Sequence, residues 1–310
     1  MPPGQPARRR RYEILMAFHS GFVCILGRPN AGKSTLLNRL VGQKLSIVSP
    51  KPQSTRNRIL GILTRDDLQI VLLDTPGLLD PQYGLQRAMR QTALRALDDA
   101  DLIAYLVDAG ERTLVPLVQA AALSRPPRAP VLTVLNKIDT LDDARRDALK
   151  AAHPDALLVS ALTGEGVDTL IDRVRTALPE SPFLYPEDDV AEQSVRFFAS
   201  ELIRETAFEQ LEQEVPYSIA CAIEEFREDR RPVYIRSVLY VERESQKRIV
   251  IGQKGARIRE IGRASREKIE ALIDAPVYLD LWIKVLPNWR RDSAALRRLG
   301  FTHTDEGSRP

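Results

Sequence analysis

The chain has 310 residues, 44% of them hydrophobic and 28% charged, and 45 Lys/Arg against 42 Asp/Glu give a net charge of +3. At about 150 residues per domain, this length predicts two domains, and the composition excludes collagen-like, mucin-like and mainly disordered proteins. Two cysteines cannot form a disulfide scaffold, and no apolar stretch approaches the roughly 18 residues of a membrane span, so we expect a cytoplasmic protein.

The N-terminus is basic, with four consecutive arginines at residues 8–11 and no apolar run after them. A secretory signal is therefore not expected. Residues 1–19 are predicted to form a disordered N-terminal extension, and Met16 offers an alternative start of translation.

Residues 20–178 alternate short apolar runs with helix-length segments. The strand candidates are Phe22–Leu26, Ile70–Asp74, Leu102–Asp108, Val131–Asn136 and Leu157–Ser160. The helix candidates are Ser34–Leu40, Leu85–Leu97, Leu114–Leu123, Asp142–Ala151 and Val167–Leu178. Uninterrupted apolar runs are typical of strands buried on both faces of a mainly parallel sheet. The pattern therefore predicts an α/β domain with a doubly wound sheet.

A segment with three prolines, residues 179–189, is predicted to be a linker. Residues 190–301 then mix both kinds of pattern without regular alternation, which predicts a smaller α+β domain, and residues 302–310 form a tail. In the second domain the helix candidate is Val190–Gln213, and the strand candidates are Tyr217–Phe226, Val233–Glu242 and Val277–Val285. A glycine-punctuated helical stretch covers Lys247–Ile273.

The first strand candidate ends in a glycine pattern that is typical of phosphate binding. Residues 27–34 read G-x-x-x-x-G-K-S and precede a helix candidate. The two glycines permit a tight turn whose N–H groups face a phosphate, and Lys33 reaches the β- and γ-phosphates. The hydroxyl of Ser34 is a suitable Mg²⁺ ligand. The nucleotide-binding candidates in this segment are Gly27, Arg28, Pro29, Asn30, Ala31, Gly32, Lys33, Ser34 and Thr35.

A second motif, with the candidates Asp74, Thr75, Pro76 and Gly77, follows a buried strand candidate. A carboxylate at this place can hold Mg²⁺ through water, and the N–H of Gly77 can meet a γ-phosphate. Because ligands of open α/β sheets bind at the carboxyl ends of the strands, we expect this motif to face the phosphate loop.

Two further strand ends indicate a guanine site. Asn136, Lys137 and Asp139 close one strand candidate, and Ser160, Ala161 and Leu162 close the last. Asp139 can accept hydrogen bonds from N1–H and the 2-amino group of guanine, a donor pair that adenine lacks. A backbone N–H of the last motif can meet guanine O6. The Asn136–Asp139 motif therefore argues against a metabolic kinase or ATPase built on the same loop.

The second domain carries a G-x-x-G loop at residues 252–255, between apolar helical turns. Glycines at both ends let the backbone approach a nucleic-acid phosphate, as in K-homology (KH) modules, which clamp about four nucleotides. A plain helical turn is the alternative interpretation. The RNA-binding candidates are Ile251, Gly252, Gln253, Lys254, Gly255, Arg257, Ile258 and Arg259.

Residues 21–178 resemble translation-factor-class GTPase domains, and residues 20–301 resemble the Era family, ribosome-associated GTPases with a C-terminal KH domain of type II order. The resemblance implies that Thr55 binds Mg²⁺ and senses the γ-phosphate, so that the catalytic candidates are Lys33, Thr55 and Gly77 and the metal candidates Ser34, Thr55 and Asp74. Leu78 stands where Ras-like enzymes have a water-positioning glutamine, so we expect slow intrinsic hydrolysis. The resemblance associates Asn30 with K⁺; an asparagine that bonds its own loop is the alternative.

The resemblance further implies GTP and GDP as ligands, binding near the 3′ end of small-subunit ribosomal RNA, and a role in assembly and maturation of the 30S subunit. We also expect no stable oligomer, with peripheral contact to the inner membrane as an additional location. The Arg-rich residues 1–15 and Ser54, where family members often have threonine, depart from the pattern. A tRNA-modifying or membrane-associated GTPase of the same superclass is the other alternative.

The small net charge conceals two opposite segments. Residues 187–229 contain 3 Lys/Arg against 13 Asp/Glu, whereas residues 230–310 contain 18 against 10. A polyanion should therefore meet the basic segment around the G-x-x-G loop. Trp282 alternates with apolar residues and is predicted to be part of the core, while Trp289 fits RNA contact or packing equally well.

Overall fold

The computed structural model describes residues 18–301. The first part of the chain contains β1 (His19–Gly27), α1 (Lys33–Val41), β2 (Ile59–Arg65), β3 (Leu68–Asp74), α2 (Gly84–Asp98), β4 (Leu102–Asp108), α3 (Leu117–Ala120), β5 (Val131–Asn136), α4 (Asp143–Ala152), β6 (Leu157–Val159) and α5 (Val167–Ala177). The second part contains α6 (Val195–Gln210), β7 (Ala220–Arg227), β8 (Val233–Val241), α7 (Glu244–Ile251), α8 (Ala256–Ile273), β9 (Val277–Val285) and α9 (Ser293–Arg298).

The first sheet has the strand order β2-β3-β1-β4-β5-β6, and its strands are parallel except for β2, which runs antiparallel to β3. One apolar cluster lies on each face of this sheet, so its central strands are buried on both sides. The predicted α/β doubly wound fold is confirmed. Strand β2 was missed, although its apolar residues and the two aspartates that follow are typical of a hairpin.

The linker between the two parts lies against the first sheet. Strand β1 begins at His19, inside the range assigned to the N-terminal extension, because His19 is paired with Leu68 and bridges to Glu180. Phe18 contacts the ring of Phe183 edge-on at 5.1 Å between centroids. The carboxamide oxygen of Gln69 accepts from the backbone N–H groups of residues 184 and 185 at 2.8 and 2.9 Å. The predicted extension of residues 1–17 lies outside the described residues, as does the tail of residues 302–310.

The second domain is a three-stranded sheet with helices on one face. Strands β7 and β8 are antiparallel, β8 and β9 are parallel, and α6, α7 and α8 cover an apolar core with the inner face of the sheet. This helix–strand–strand–helix–helix–strand order confirms the predicted type II KH fold. Helix α6 begins five residues later than predicted because Ser194 caps it by accepting from the N–H of Phe197, while the carbonyl of Val190 accepts from Ile62 N–H in β2.

None of the helices within residues 18–301 has the length and apolar character needed to cross a membrane.

Candidate nucleotide-binding site and nucleic-acid interface

The phosphate loop connects β1 to α1 and encloses its lysine. Lys33 is buried, and its Nζ donates to the carbonyls of Gly27 and Arg28 at 3.1 and 2.9 Å. Burial lowers the pKa of Lys33 to about 8, which the nearby carboxylate of Asp74 partly opposes. A Cβ on Gly32 would lie 2.2 Å from the carboxamide nitrogen of Asn136, so the residue must be glycine.

Three hydroxyls converge on Asp74 at the end of β3. Ser34 Oγ and Ser46 Oγ donate to Asp74 Oδ2 at 2.9 and 2.8 Å, and Thr55 Oγ1 lies 2.8 Å from Ser34 Oγ. The other carboxylate oxygen, Oδ1, is buried without a hydrogen-bond partner. Burial raises the pKa of Asp74, against the influence of Lys33 and the hydroxyls.

These oxygens fit a magnesium ion, which prefers hard oxygen ligands. The described residues, 18–301, contain no cluster of three His, Cys, Asp or Glu side chains placed to bind a metal, so hydroxyl groups would complete the ligand set. The three predicted metal candidates, Ser34, Thr55 and Asp74, lie together in the structure. Ser46 was missed, because nothing in the sequence separates it from other serines of the same loop.

The segment after Asp74 lies against the phosphate loop. A Cβ on Gly77 would approach the backbone Cα and N of Pro29 to 2.8 Å, so the close contact requires glycine. Leu78 donates its N–H to the carbonyl of Gly27 at 2.9 Å and buries its side chain in the core. Leu78 is therefore directed away from the phosphate side. The hydroxyl of Thr75 donates to the carbonyl of Ile25 at 2.9 Å, so this candidate supports the strand rather than facing a ligand.

An open cleft of about 350 Å³ lies above this cluster and is lined by Lys33, Ser34, Thr55 and Gly77, among others. Asn30 lies at its rim with a positive φ of 64°, and its Nδ2 donates to the carbonyl of Pro50 at 3.0 Å. The candidates that line this cavity are Pro29, Asn30, Gly32, Lys33, Ser34, Thr35, Thr55, Gly77 and Lys137. Arg28 faces outward and pairs with Glu111 at 3.2 Å.

The predicted guanine end is held together by hydrogen bonds between motifs. Asn136 Nδ2 donates to the carbonyl of Ala31 at 2.8 Å, and Asn136 Oδ1 accepts from the N–H of Ala161 at 2.9 Å. Ser160 Oγ donates to Asp139 Oδ1 at 2.5 Å. Asn136 therefore acts as a brace between the phosphate loop and the last strand, and Ser160 orients the carboxylate.

Two neighbouring side chains complete this end of the site. Lys137 has a positive φ of 68° and pairs with Asp108 at 2.8 Å. Arg39 of α1 donates from Nε to the carbonyl of Ala161 at 3.2 Å and also bonds the carbonyl of Leu162. Arg39 was missed by the sequence analysis, because a helix-surface arginine gives no signal of this contact. Leu162 is 67% exposed.

The G-x-x-G loop joins α7 to α8 in strained backbone conformations. Gly252, Lys254 and Gly255 have φ values of 70°, 49° and 75°. A Cβ on Gly252 would lie 2.8 Å from the Cβ of Arg257, whereas one on Gly255 would approach the guanidinium of Arg259 to 3.0 Å. Glycine at both positions keeps the loop open to a phosphate backbone.

A groove of about 470 Å³ continues from this loop between α8 and β9. Its walls carry Arg259, Arg263 and Arg266 from the helix and Tyr278 from the strand. Tyr278 was missed as a site residue. It is an even-numbered residue of β9, on the face of the strand away from the helices, and it reaches the groove only because β9 is the edge strand of the sheet.

The same alternation corrects the interpretation of the tryptophans. Trp282 is 55% exposed, so its predicted place in the core is wrong: β9 directs its even-numbered side chains away from the helices. Trp289 is fully buried and donates from Nε1 to the carbonyl of Ser218 at 2.8 Å, which decides its open assignment in favour of packing.

The loop that carries Thr55 also contacts the second domain. Arg56 is buried, and its guanidinium donates to the carbonyls of Pro216, Tyr217 and Ile219 at 3.3, 3.1 and 2.5 Å. On the other side of Thr55, Arg204 of α6 donates to the carbonyl of Ser54 at 2.5 Å. The candidate metal ligand is thus flanked by two interdomain contacts.

Comparisons with known proteins agree with this two-part architecture. A family model described as 50S ribosome-binding GTPase matches residues 22–137, and a KH-domain model matches residues 214–290. GTPase Era from Halothermothrix orenii is 41% identical over 298 residues, which cover 92% of this chain and 99% of that protein. GTPase Era from Geobacter metallireducens is 42% identical over 293 residues, covering 92% and 98%.

Two solved structures are similar over 92% of this chain and the whole of the other, each at 38% identity. One is a variant of Aquifex aeolicus Era bound to GDP and AlF₄⁻, with a TM-score of 0.86. The other, with a TM-score of 0.85, is Era in complex with MgGDPNP and nucleotides 1506–1542 of 16S ribosomal RNA.

Proposed function

The chain belongs to the Era family of GTPases, and from this premise we propose that it is a GTP-controlled protein that binds small-subunit ribosomal RNA near its 3′ end and assists assembly of the 30S subunit. The observation that carries the proposal is the position of Thr55. This residue lies in the candidate metal cluster, and its neighbours Ser54 and Arg56 contact the KH domain. A change at the γ-phosphate would therefore reach the RNA-binding domain through one loop.

Magnesium would be held by Ser34, Thr55 and Asp74, and when bound it would stabilise the negative charge that develops on the phosphates. Lys33, already enclosed by carbonyls of the phosphate loop, would bind the β- and γ-phosphates, and the N–H of Gly77 would meet the γ-phosphate. Because burial lowers the pKa of Lys33, the negative charge of a bound phosphate would favour its charged form.

Guanine would be selected by Asp139, which Ser160 Oγ orients from 2.5 Å. An adenine in the same place would leave a carboxylate without its two donors, which costs enough to exclude ATP. The N–H groups of Ser160 and Ala161 already donate to the Glu165 carbonyl and to Asn136 Oδ1, so the N–H of Leu162 would bind O6.

Hydrolysis would be slow without assistance, because the buried Leu78 offers no group that orients water. We infer that Asn30 and the loop carbonyl of Pro50, which its side chain now contacts, form the place where a K⁺ ion would bind and add positive charge. We place the protein in the cytoplasm as a monomer; peripheral contact with the inner membrane stays a prediction from the family resemblance.

RNA would bind at the G-x-x-G loop and the arginine-lined groove beside it. The experiment is fluorescence anisotropy with a labelled RNA that corresponds to nucleotides 1506–1542 of 16S ribosomal RNA, in the presence of GDP or a non-hydrolysable GTP analogue. We expect tighter binding with the GTP analogue. Equal affinity in both states would contradict the coupling between nucleotide and RNA.

Two variants with the same added charge distinguish loss of the RNA-binding loop from a general effect of negative surface charge. Gly252→Asp/Gly255→Asp places two carboxylates in the loop and should abolish binding of the RNA. Gly42→Asp/Gly300→Asp is the control, because both glycines also have positive φ and a Cβ on either would meet nothing within 4 Å. Equal loss of binding in both variants would argue against the KH groove as the site.

A further inference from the structure

The outer face of the second sheet carries large aromatic side chains in solvent. Tyr278 and Trp282 on β9 are 59% and 55% exposed. They lie four residues apart on the same face of the strand, so their Cα atoms are separated by roughly 13 Å. Exposed aromatic rings of this size, side by side on one face of a strand, are typical of a surface that binds a partner.

Part of this face is already covered. Val238 and Tyr240 on β8 are buried in an apolar cluster with Leu85 and Met89 of α2, so the first domain occupies that end of the sheet. The open end is therefore bounded by the first domain on one side and by the groove beside α8 on the other.

The rings at the groove end are fixed in position before any partner arrives. Tyr278 is stacked on Tyr234, with centroids 5.9 Å apart and planes 13° from parallel. The guanidinium groups of Arg227 and Arg236 lie over the Tyr234 ring at 5.5 and 5.7 Å. We call Tyr234, Tyr278 and Trp282 the aromatic strip. Such fixed rings lose little conformational entropy on binding.

The charged side chains beside the aromatic strip neutralise each other, and this determines which part of an RNA the strip can contact. Arg236 pairs with Asp280 at 3.2 Å, and Asp280 Oδ2 also accepts from the hydroxyl of Tyr234 at 3.0 Å. Phosphate groups are therefore not attracted by the strip itself. The faces of nucleobases, which stack on aromatic rings regardless of sequence, fit it better.

Continuity with the groove identifies where those bases come from. Tyr278 belongs both to the strip and to the groove wall, opposite Arg259, Arg263 and Arg266. A KH groove holds about four nucleotides, whereas the related Era structure contains an RNA that spans nucleotides 1506–1542. A strand held in the groove by those arginines would leave it over Tyr278 and run along the outer face of β9.

We propose that the aromatic strip is an RNA-stacking surface on which Trp282 and Tyr278 bind unpaired bases that extend beyond the KH groove. The inference rests on the proposed function, since it requires RNA in the groove. It assigns to Trp282 a role in affinity for long RNA, in a part of the sheet that the G-x-x-G loop does not reach.

The test compares a four-nucleotide RNA, which fills the groove alone, with a twelve-nucleotide RNA that contains the same four. Trp282→Ala should weaken binding of the longer RNA by about 5- to 150-fold, the effect of losing one stacked base, and leave the shorter within twofold. Because the lost contact is uncharged, the dependence of the longer RNA's affinity on salt should keep its slope. Arg259→Ala should reduce that slope by about one charge, since its guanidinium bonds only the carbonyl of Lys254. Trp282→Phe should restore most of the affinity.

Intrinsic fluorescence gives a second measurement on the unmodified protein. Since Trp289 is buried and Trp282 exposed, stacking of a base should quench the emission with the longer RNA and not with the shorter. If Trp282→Ala and the wild type bind the longer RNA with equal affinity, the aromatic strip does not bind RNA bases, and the proposed function still stands. Loss of binding by this variant to ribosomal subunits but not to the longer RNA would overturn it in favour of a protein partner. Failure of the wild type to bind either RNA would overturn the proposed function itself.

Discussion

Arg56→Ala should uncouple the two domains. The side chain of Arg56 is 2% exposed and donates to three backbone carbonyls of residues 216–219, while its guanidinium lies 5.9 Å from the ring centre of Trp289. Each buried acceptor left without a donor costs about 1–3 kcal/mol, and water entering the space offsets part of that sum. We therefore expect the interdomain contact to lose about 3–5 kcal/mol, the range for removing one partner of a buried charged contact.

Calorimetry of thermal unfolding measures this loss. The wild type should unfold in one coupled transition, and Arg56→Ala should show two, because each domain then melts separately. The RNA affinity of the variant should also become the same with GDP and with the GTP analogue, since the loop beside Thr55 no longer holds the KH domain.

Arg58→Ala is the matched control. Arg58 is only two residues further along the same loop, but its side chain is 37% exposed and pairs with Asp99, 57% exposed, at 2.7 Å. Exposed pairs contribute about 0–1 kcal/mol, so this variant should keep the single transition. The reasoning is refuted if Arg56→Ala unfolds like Arg58→Ala and retains nucleotide-dependent RNA binding.

Three further predictions concern the nucleotide site and its surroundings. Asp139→Asn should remove the preference for GTP over ATP in competition binding; retained guanine selectivity would show that another group reads the base. Gly77→Ala should weaken binding of the GTP analogue, since its Cβ would meet the Pro29 backbone at 2.8 Å. Unchanged affinity would show that the backbone at Pro29 moves aside without disturbing the site. Burial raises the pKa of the Cys24 thiol to about 12, so native protein at pH 9 should resist iodoacetamide at this residue, as read by mass spectrometry. Between pH 9 and 12 the unfolded thiol is ionised while the folded one stays protonated, so the free energy of unfolding should fall by up to about 1.4 kcal/mol per pH unit relative to Cys24→Ala; parallel curves would contradict the assignment.

The features that could be predicted from sequence are those that depend on neighbours in the chain. The spacing of Gly27, Gly32 and Lys33 predicts a phosphate loop from the sequence alone, and that of Gly252 and Gly255 predicts the second loop. Gly32, Gly252 and Gly255 have positive φ values, which glycine adopts most readily. Strand order then brings the remaining motifs to one sheet edge.

The features that escaped prediction depend on contacts between distant parts of the chain. Arg56 reads as an ordinary loop arginine until the second domain covers it, and Ser46 gains its role only because its loop folds back onto Asp74. Trp282 was placed on the wrong face, since apolar residues on both sides of β9 hide which set faces the helices. Pattern alone does not encode what covers a surface.

Crosslinking of the protein to RNA in living cells, followed by mapping of the bound RNA, tests the central claim most directly. We expect crosslinks concentrated near the 3′ end of small-subunit ribosomal RNA for the wild type and for Gly42→Asp/Gly300→Asp, and their loss in Gly252→Asp/Gly255→Asp. Crosslinks that lie elsewhere, or that persist at the same sites in the loop variant, would contradict a KH-mediated role on the small ribosomal subunit.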